Sequence, residues 1–393
     1  MALSSQVRAG LAVRIAGLGT ALTLAACTAA GGADQPSVAG QTTHPGPTLF
    51  QVSPLATLDR PWAMAFLPDG RALVTERGGT LLLVDPTQTP QVEPRVVSGT
   101  PSVVDSGQGG LGDVILAPSF ARDGAIYLSW VEAGPGGTGA VVGRATLVDG
   151  DSPQLADLHA IWHQDPKTSG SGHFSHRMVI SPDEKYLFVS SGERQKGDPA
   201  QHLDVNLGKV LRLNLDGSAA EGNPFARRGG VSAQIWTLGH RNVLGLDFDP
   251  DGNLWASEMG PRGGDELNLI EPGDNYGWPT VSNGSRYDGR DIPDHAEGDG
   301  FTAPKVWWTP SVSPSGLMIY RGDLFPDWTG DAFLPALSGE ALIRVDLDGT
   351  QASKADEWSM GARIREVDQA PDGTIYLLED GSGGRLLRLT PER

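Results

Sequence analysis

Sulfur chemistry is nearly absent from this sequence: one cysteine, Cys27, stands among 393 residues. That excludes a disulfide framework and any thiolate metal cluster. Positive charge is also scarce. Lys and Arg number 30 against 48 Asp and Glu, for a net charge of −18, so nucleic acid, whose phosphates need clustered cations, is excluded as a main partner. No apolar run is long enough to cross a bilayer as a helix, which takes about 20 residues, and no amphipathic helical period appears after residue 48. What is abundant is punctuation. Glycine (53) and proline (29) make up about a fifth of the chain, against a usual share of roughly 12%. Many short strands joined by turns fit that composition, and a helical bundle does not. With 39% apolar residues and 10 tryptophans the chain can build a core and is not intrinsically disordered.

The first 14 residues carry Arg8 and Arg14 and no acid, and an apolar run over 15–26 follows. Its end, Leu24-Ala25-Ala26-Cys27, resembles a bacterial lipobox. The expectation is a lipoprotein signal peptide over 1–27 with an acylated Cys27, the alternative being an ordinary signal peptide with a fortuitous cysteine. Residues 28–47 are small and polar and read as a flexible tether. The folded part is then 48–393, exported and lipid-anchored on the periplasmic or extracellular side of a membrane.

Beyond the tether one pattern recurs. A Pro-Asp-Gly-like turn leads into an alternating strand, a second turn and another strand, with the turn prolines at Pro68, Pro118, Pro182, Pro250, Pro326 and Pro371. Asp-Gly supplies the positive φ of a tight turn, and alternation of apolar with polar residues marks a half-buried strand. Units of this size that cannot bury a face alone point to an all-β, six-bladed β-propeller. The loose spacing also admits five or seven blades. The extended segment 49–55 is expected to supply the strand that closes the last blade onto the first.

Three patches carry polar residues that strands and turns do not require: 171–201, 237–279 and 361–367. His173 is the best general-base candidate, because a histidine near its reference pKa of about 6.5 accepts a proton at neutral pH. Glu193, one strand later, is placed to orient it. Arg241 and Asn242 follow His240 in a glycine-flanked turn. Arg363 and Arg365 alternate along one strand and require an anion if buried, or surface carboxylates if not. His173/His176 and His159/His163 have helical zinc spacing in turn or strand contexts, and zinc is not expected there. The run from Asp247 to Glu258 matches an EF-hand loop in spacing; it is rejected because its flanks alternate like strands.

Together, in order and spelling, these patches resemble the PQQ-dependent soluble glucose dehydrogenase and aldose sugar dehydrogenase family, from about Thr57 to Leu389. The resemblance implies a six-bladed propeller holding pyrroloquinoline quinone over its channel. It implies a histidine that removes the proton of an aldose anomeric hydroxyl while hydride passes to the quinone, giving a lactone. It also implies Ca²⁺ that binds the cofactor and polarises it. By motif, His173 matches the base and Glu193 its supporting acid; Gln108 matches a cofactor-contacting glutamine. Arg241 and Asn242 match residues beside quinone and substrate, and Arg363 and Arg365 a clamp on the cofactor's carboxylates. Gly260 and Pro261 match backbone ligands of the cofactor's calcium, and Glu266 and Tyr276 ligands of a separate structural calcium. Tyr287 is expected to face the cofactor.

The sequence departs from that pattern at Ser338, where many members carry a lysine reaching the quinone, at Leu244 in place of a glutamine, and at Gly172 before the base. Two lost polar contacts would weaken PQQ binding by about one to four orders of magnitude, unless this subfamily holds the quinone differently. The expected partners are an aldose substrate and an external electron acceptor (a quinone or redox protein), with the chain a monomer or homodimer. The alternatives are a propeller lipoprotein that binds a sugar or protein without chemistry, and a Ca²⁺-dependent lactonase.

Overall fold

The six proline-bearing turns occupy equivalent places. In the computed structural model, which describes residues 49–88 and 93–392, each joins the first strand of a four-stranded antiparallel sheet to the second. The first sheet is Pro61–Phe66, Ala72–Glu76, Thr80–Val84 and Arg95–Val97, and the second Leu111–Leu116, Ala125–Gly134, Gly137–Val148 and Gln154–His163. The third is Ser175–Ile180, Tyr186–Ser191, Lys209–Asn214 and Ile235–Leu238. The fourth is Val243–Phe248, Leu254–Glu258, Asp265–Leu269 and Val306–Trp308, and the fifth Met318–Ile319, Ala332–Ala336, Ala341–Asp348 and Gln351–Ser359. The sixth takes Ile364–Gln369, Ile375–Glu379 and Ser382–Pro391 from the C-terminal end and its outer strand, Phe50–Asp59, from the other end of the chain. That strand pairs antiparallel with Val52 opposite Leu389 and Thr57 opposite Arg385. First strands of successive sheets touch all the way round. The fold is a six-bladed β-propeller, closed by the segment expected to close it. The proposed signal peptide, Cys27 and tether lie outside the described residues.

The run from Asp247 to Glu258 is a hairpin, Val243–Phe248 against Leu254–Glu258. The Asp249 carboxylate is consumed inside the turn by Asp251 N (3.0 Å), Asn253 N (2.8 Å) and Trp255 Nε1 (3.0 Å), so it is not a cation ligand.

One expectation needs correction. The second strands are buried on both faces, because each blade is sandwiched between two others; Leu254–Glu258 and Ile375–Glu379 are buried at every residue. Their polar residues face a neighbouring blade, where hydroxyls stitch to first-strand carbonyls. Thr75 Oγ1 donates to Gly112 O (2.6 Å), Ser129 Oγ to His176 O (3.0 Å), and Ser190 Oγ to Val243 O (3.1 Å). A buried hydroxyl with such a partner adds roughly 0.5–1.5 kcal/mol where an orphan would cost more.

Alternating strand direction puts the repeated turns at one end of the ring. The loops between second and third strands, and those crossing to the next blade, fall at the other end. The candidate residues therefore gather at one mouth of the channel. Midway along the axis Arg177 touches every blade. It pairs with Asp113 (3.3 Å) of the second blade and with Glu366 of the sixth. Its Nε donates to Leu244 O (2.7 Å) and its Nη2 to Ser315 O (2.8 Å), while its guanidinium carbon lies 4.0 Å from the Trp62 ring centre. A cavity of about 360 Å³ opens on the turn side of this plug and one of about 370 Å³ on the loop side.

Candidate active site

The loop-side cavity is walled by Gln108, Phe174, Ser175, Asn242, Arg363, Arg365 and Asp380, with Trp62, Leu244 and Met259 as its apolar part and Tyr287 at its rim. His173 sits directly behind this wall: the next residue, Phe174, lines the cavity, as does Gln108, whose Oε1 accepts the His173 backbone N–H (2.7 Å). Its Nδ1 is hydrogen-bonded to Glu193 Oε1. Glu193 also accepts Gln195 N–H (3.0 Å) on that oxygen and Gly197 N–H on the other. Only glycine fits beneath this pair, since a Cβ on Gly192 would lie 2.1 Å from His173 O.

The electrostatics suit a base. Burial holds the His173 imidazole below its ordinary range; the Arg241 charge acts in the same direction, against the opposing pull of Glu193 and Glu258. Burial pushes the Glu193 carboxyl up, but the His173 hydrogen bond and charge and the Gly197 amide outweigh it, and Glu193 stays below the usual carboxylate range. An ionised Glu193 fixes the hydrogen on Nδ1 and leaves Nε2 as the proton acceptor.

Arg241 and Asn242 are set by a residue the sequence reading missed. Glu258 Oε1 accepts the backbone N–H of Arg241 and of Asn242 (3.0 Å for the latter), and Oε2 takes His240 Nδ1 (2.9 Å). Arg241 then donates to Met259 O (3.0 Å) and to the Tyr287 hydroxyl (2.9 Å), and its buried Nε has no partner in the protein. Asn242 Oδ1 accepts from Ser175 Oγ (3.1 Å).

Arg363 and Arg365 do converge, although Arg363 lies just before the strand Ile364–Gln369 rather than within it. The anion they require is already present and was also missed. Asp380 Oδ2 accepts Arg363 Nε (2.9 Å) and Oδ1 accepts Arg365 Nε (3.0 Å) and Nη2 (2.7 Å). The triad keeps one net positive charge, Arg77 lines the same cavity, and Arg363 is about half exposed to it. A second anion therefore finds cationic donors there.

The remaining expected residues fall in two groups. Gly260, Glu266 and Tyr276 border one cavity of about 10 Å³, room for a single water or ion, with Glu258 beside it. A Cβ on Gly260 would meet Gly264 O at 2.3 Å and Gly263 O at 2.4 Å, so carbonyl oxygens crowd that turn. Burial and then the Glu258 charge raise Glu266 well above the usual range. A carboxylate pair beside carbonyls suits a hard cation such as Ca²⁺. The Tyr276 hydroxyl is spent on Leu269 O and Glu271 N, which leaves its backbone oxygen as the available donor. Pro261 is buried in the same turn. Ser338 lies beside the pocket rather than across it, its hydroxyl held by Ser311 O (3.1 Å) and Ser313 Oγ (2.8 Å). Leu244 is buried against Trp62 and Ala63, so no polar group replaces the absent glutamine. His176 is structural, with Nδ1 on Ser129 Oγ (2.8 Å) and its ring stacked on Trp62. Among the described residues no group of three or more His, Cys, Asp or Glu is arranged to hold a metal, so any ion must draw on backbone oxygens.

A propeller whose long loops gather a buried His–Glu pair, a cationic clamp and a carbonyl-rich turn at one mouth defines a sugar dehydrogenase of quinoprotein type. The chain belongs to the Glucose / Sorbosone dehydrogenase family, whose model matches residues 58–388. It is 40% identical to aldose sugar dehydrogenase YliI of Escherichia coli (strain K12) over 342 residues, 85% of this chain and 91% of that one. It superposes on the crystal structure of the soluble aldose sugar dehydrogenase from Escherichia coli in the apo-form with a TM-score of 0.82 at 39% identity, covering 87% of this chain and 100% of that one. The PQQ-bound aldose sugar dehydrogenase from Streptomyces coelicolor aligns with a TM-score of 0.72 at 30% identity, covering 88% and 99%.

Proposed function

We propose that the protein oxidises aldoses at the anomeric carbon to lactones, with PQQ as the acceptor, and passes the electrons to an external acceptor. The observation that carries this reading is the buried His173–Glu193 pair, joined through Gln108 and Phe174 to a pocket that Arg363 and Arg365 also line.

The donor set fits the cofactor. Arg363, Arg365 and Arg77 would hold its carboxylates, Gln108 and Asn242 its polar edge, and Tyr287 and Trp62 its flat faces. The small cavity bordered by Glu266 and Tyr276 would hold one structural ion, and the carbonyls of Gly260 and Pro261, in the turn after Met259 of the quinone pocket, would hold the cofactor's Ca²⁺. When bound, the quinone supplies a hydride acceptor and the ion Lewis acidity. The protein's part is to move one proton and exclude water. His173 Nε2 accepts the proton of the anomeric hydroxyl, and the Glu193 carboxylate stabilises the imidazolium that forms. Arg241, fixed by Glu258, presents a cation beside the developing carbonyl oxygen. Arg177 closes the floor of the pocket from the opposite mouth.

The leader-like 1–27 supports placement outside the cytoplasm with Cys27 as a lipid anchor. The test of the activity is dye reduction by purified protein given PQQ, Ca²⁺ and a panel of aldoses. Turnover with at least one aldose is expected, and none with any of them overturns the reading.

A further inference from the structure

Arg194 follows Glu193 in sequence and is the most buried arginine among the described residues, with 0% exposure. Its donors go to neutral acceptors, an unusual fate for a buried cation. Nε donates to Gly172 O (3.0 Å), Nη2 to Gly170 O (2.7 Å) and Thr138 Oγ1 (3.1 Å), and Nη1 to Thr138 O. Its guanidinium carbon lies 3.7 Å from the Phe174 ring centre, and its backbone N–H donates to His173 O (3.2 Å). One residue thus holds the carbonyls of 170, 172 and 173 and the ring of 174.

That segment is one that would not hold its shape unaided. His173 has φ +50°, Ser175 φ +58° and His176 φ +62°, three non-glycine residues in the left-handed region within four positions. Such backbone persists only where its surroundings over-determine it. Gln108 secures His173 N–H with its side chain and Ser171 O (2.7 Å) with its backbone N–H, and Glu193 secures the ring, but neither bonds the carbonyls of 170, 172 or 173.

We propose that Arg194 is a positioning residue for the base: it locks the 170–174 backbone so that His173 is held against Glu193 with Nε2 toward the pocket. The proposal rests on His173 being the base. The charged groups facing His173 are Glu193, Arg241 and Glu258. None is changed by substitution at 194, and R194K keeps the positive charge, so a shift of His173 titration in R194K reports the ring's position, whereas R194M also removes a buried cation.

The test compares R194M and R194K with the native sequence. In the PQQ-free protein, NMR of the histidine rings, assigned with H173A, follows the titration of His173. The native ring is expected to titrate below the free-histidine value. In R194M, where it leaves its buried seat, the midpoint rises toward about 6.5, and R194K moves the same way by less. In the loaded enzyme R194M loses about 10²-fold in kcat, the cost of a misplaced base, with quinone affinity within threefold. The low-pH limb of its rate profile rises with the NMR midpoint. A folded R194M with native His173 titration and kcat within threefold of native overturns the proposal. If R194M does not fold, native titration and kcat in R194K overturn it. Absence of turnover in the native protein would instead refute the proposed activity, and the NMR comparison would still decide the role of Arg194.

Discussion

Glu193→Gln tests how the base is tuned, because every lone pair of this carboxylate that matters is assigned. Oε1 accepts the His173 Nδ1 hydrogen and Gln195 N–H, and Oε2 accepts Gly197 N–H. An amide has one oxygen, so its NH₂ must face either two donors or one. The less costly arrangement turns the NH₂ toward Gly197 and leaves His173 a neutral acceptor. Replacing a charge-assisted bond by a neutral one, together with loss of the carboxylate from the developing imidazolium, comes to about 1.5–3 kcal/mol, or roughly 10–150-fold in kcat. The pH dependence has a definite sign. Burial lowers the His173 pKa while Glu193 raises it. With Glu193 neutralised the histidine stays unprotonated to lower pH, so the low-pH limb of kcat moves down as the maximum falls. The assay is dye-coupled turnover of the PQQ- and Ca²⁺-loaded variant across a pH series. A limb that stays in place or moves up, or a kcat within threefold of native, would refute the assignment of Glu193. Substitution at Arg194 moves the same limb the opposite way, and R194K, which keeps the cation, separates charge from position.

Two further outcomes are expected. Arg363→Ala removes a half-exposed guanidinium from the clamp, so quinone affinity falls by about 10–150-fold, the worth of a hydrogen bond to a charged group; kcat at saturating quinone is unchanged, as fluorescence or absorbance titration followed by turnover will show. Arg177→Met leaves Asp113 and Glu366 without their buried cation, and stability in chemical denaturation falls by about 3–5 kcal/mol.

The architecture was legible because it is written locally. A Pro-Asp-Gly turn is specified by adjacent residues, and all six such turns mark the same place in successive blades. Closure was also readable, in the extended segment 49–55, which in the structure is the longer strand Phe50–Asp59. Half-burial of the second strands was misread: Thr75, Ser129 and Ser190 look solvent-facing in an alternating strand, and only the packing of blades shows that they bond across to Gly112, His176 and Val243. The site was legible where a residue acts through its own chemistry, as with His173, Glu193 and the paired arginines. It was opaque where a residue acts on its neighbours. Asp380, Glu258, Arg177 and Arg194 hold backbone groups or charges far away in the chain, and no spacing encodes such contacts. Lys209 is another such case: its ammonium, fully buried, donates to Pro199 O (2.9 Å), Ala200 O (3.0 Å) and Leu207 O (2.6 Å) and so braces the loop that carries Glu193. The Asp247–Glu258 spacing shows the converse, a motif match undone by its hairpin.

The most direct test of the whole account is anaerobic stopped-flow absorbance of the PQQ- and Ca²⁺-loaded protein mixed with an aldose, native beside His173→Ala. The account predicts that both proteins bind the quinone, that sugar bleaches its oxidised band in the native protein, and that the bleach slows by about 10²–10⁴-fold in the variant. Equal rates in the two, or no quinone bound by the native protein at micromolar concentration, would contradict it.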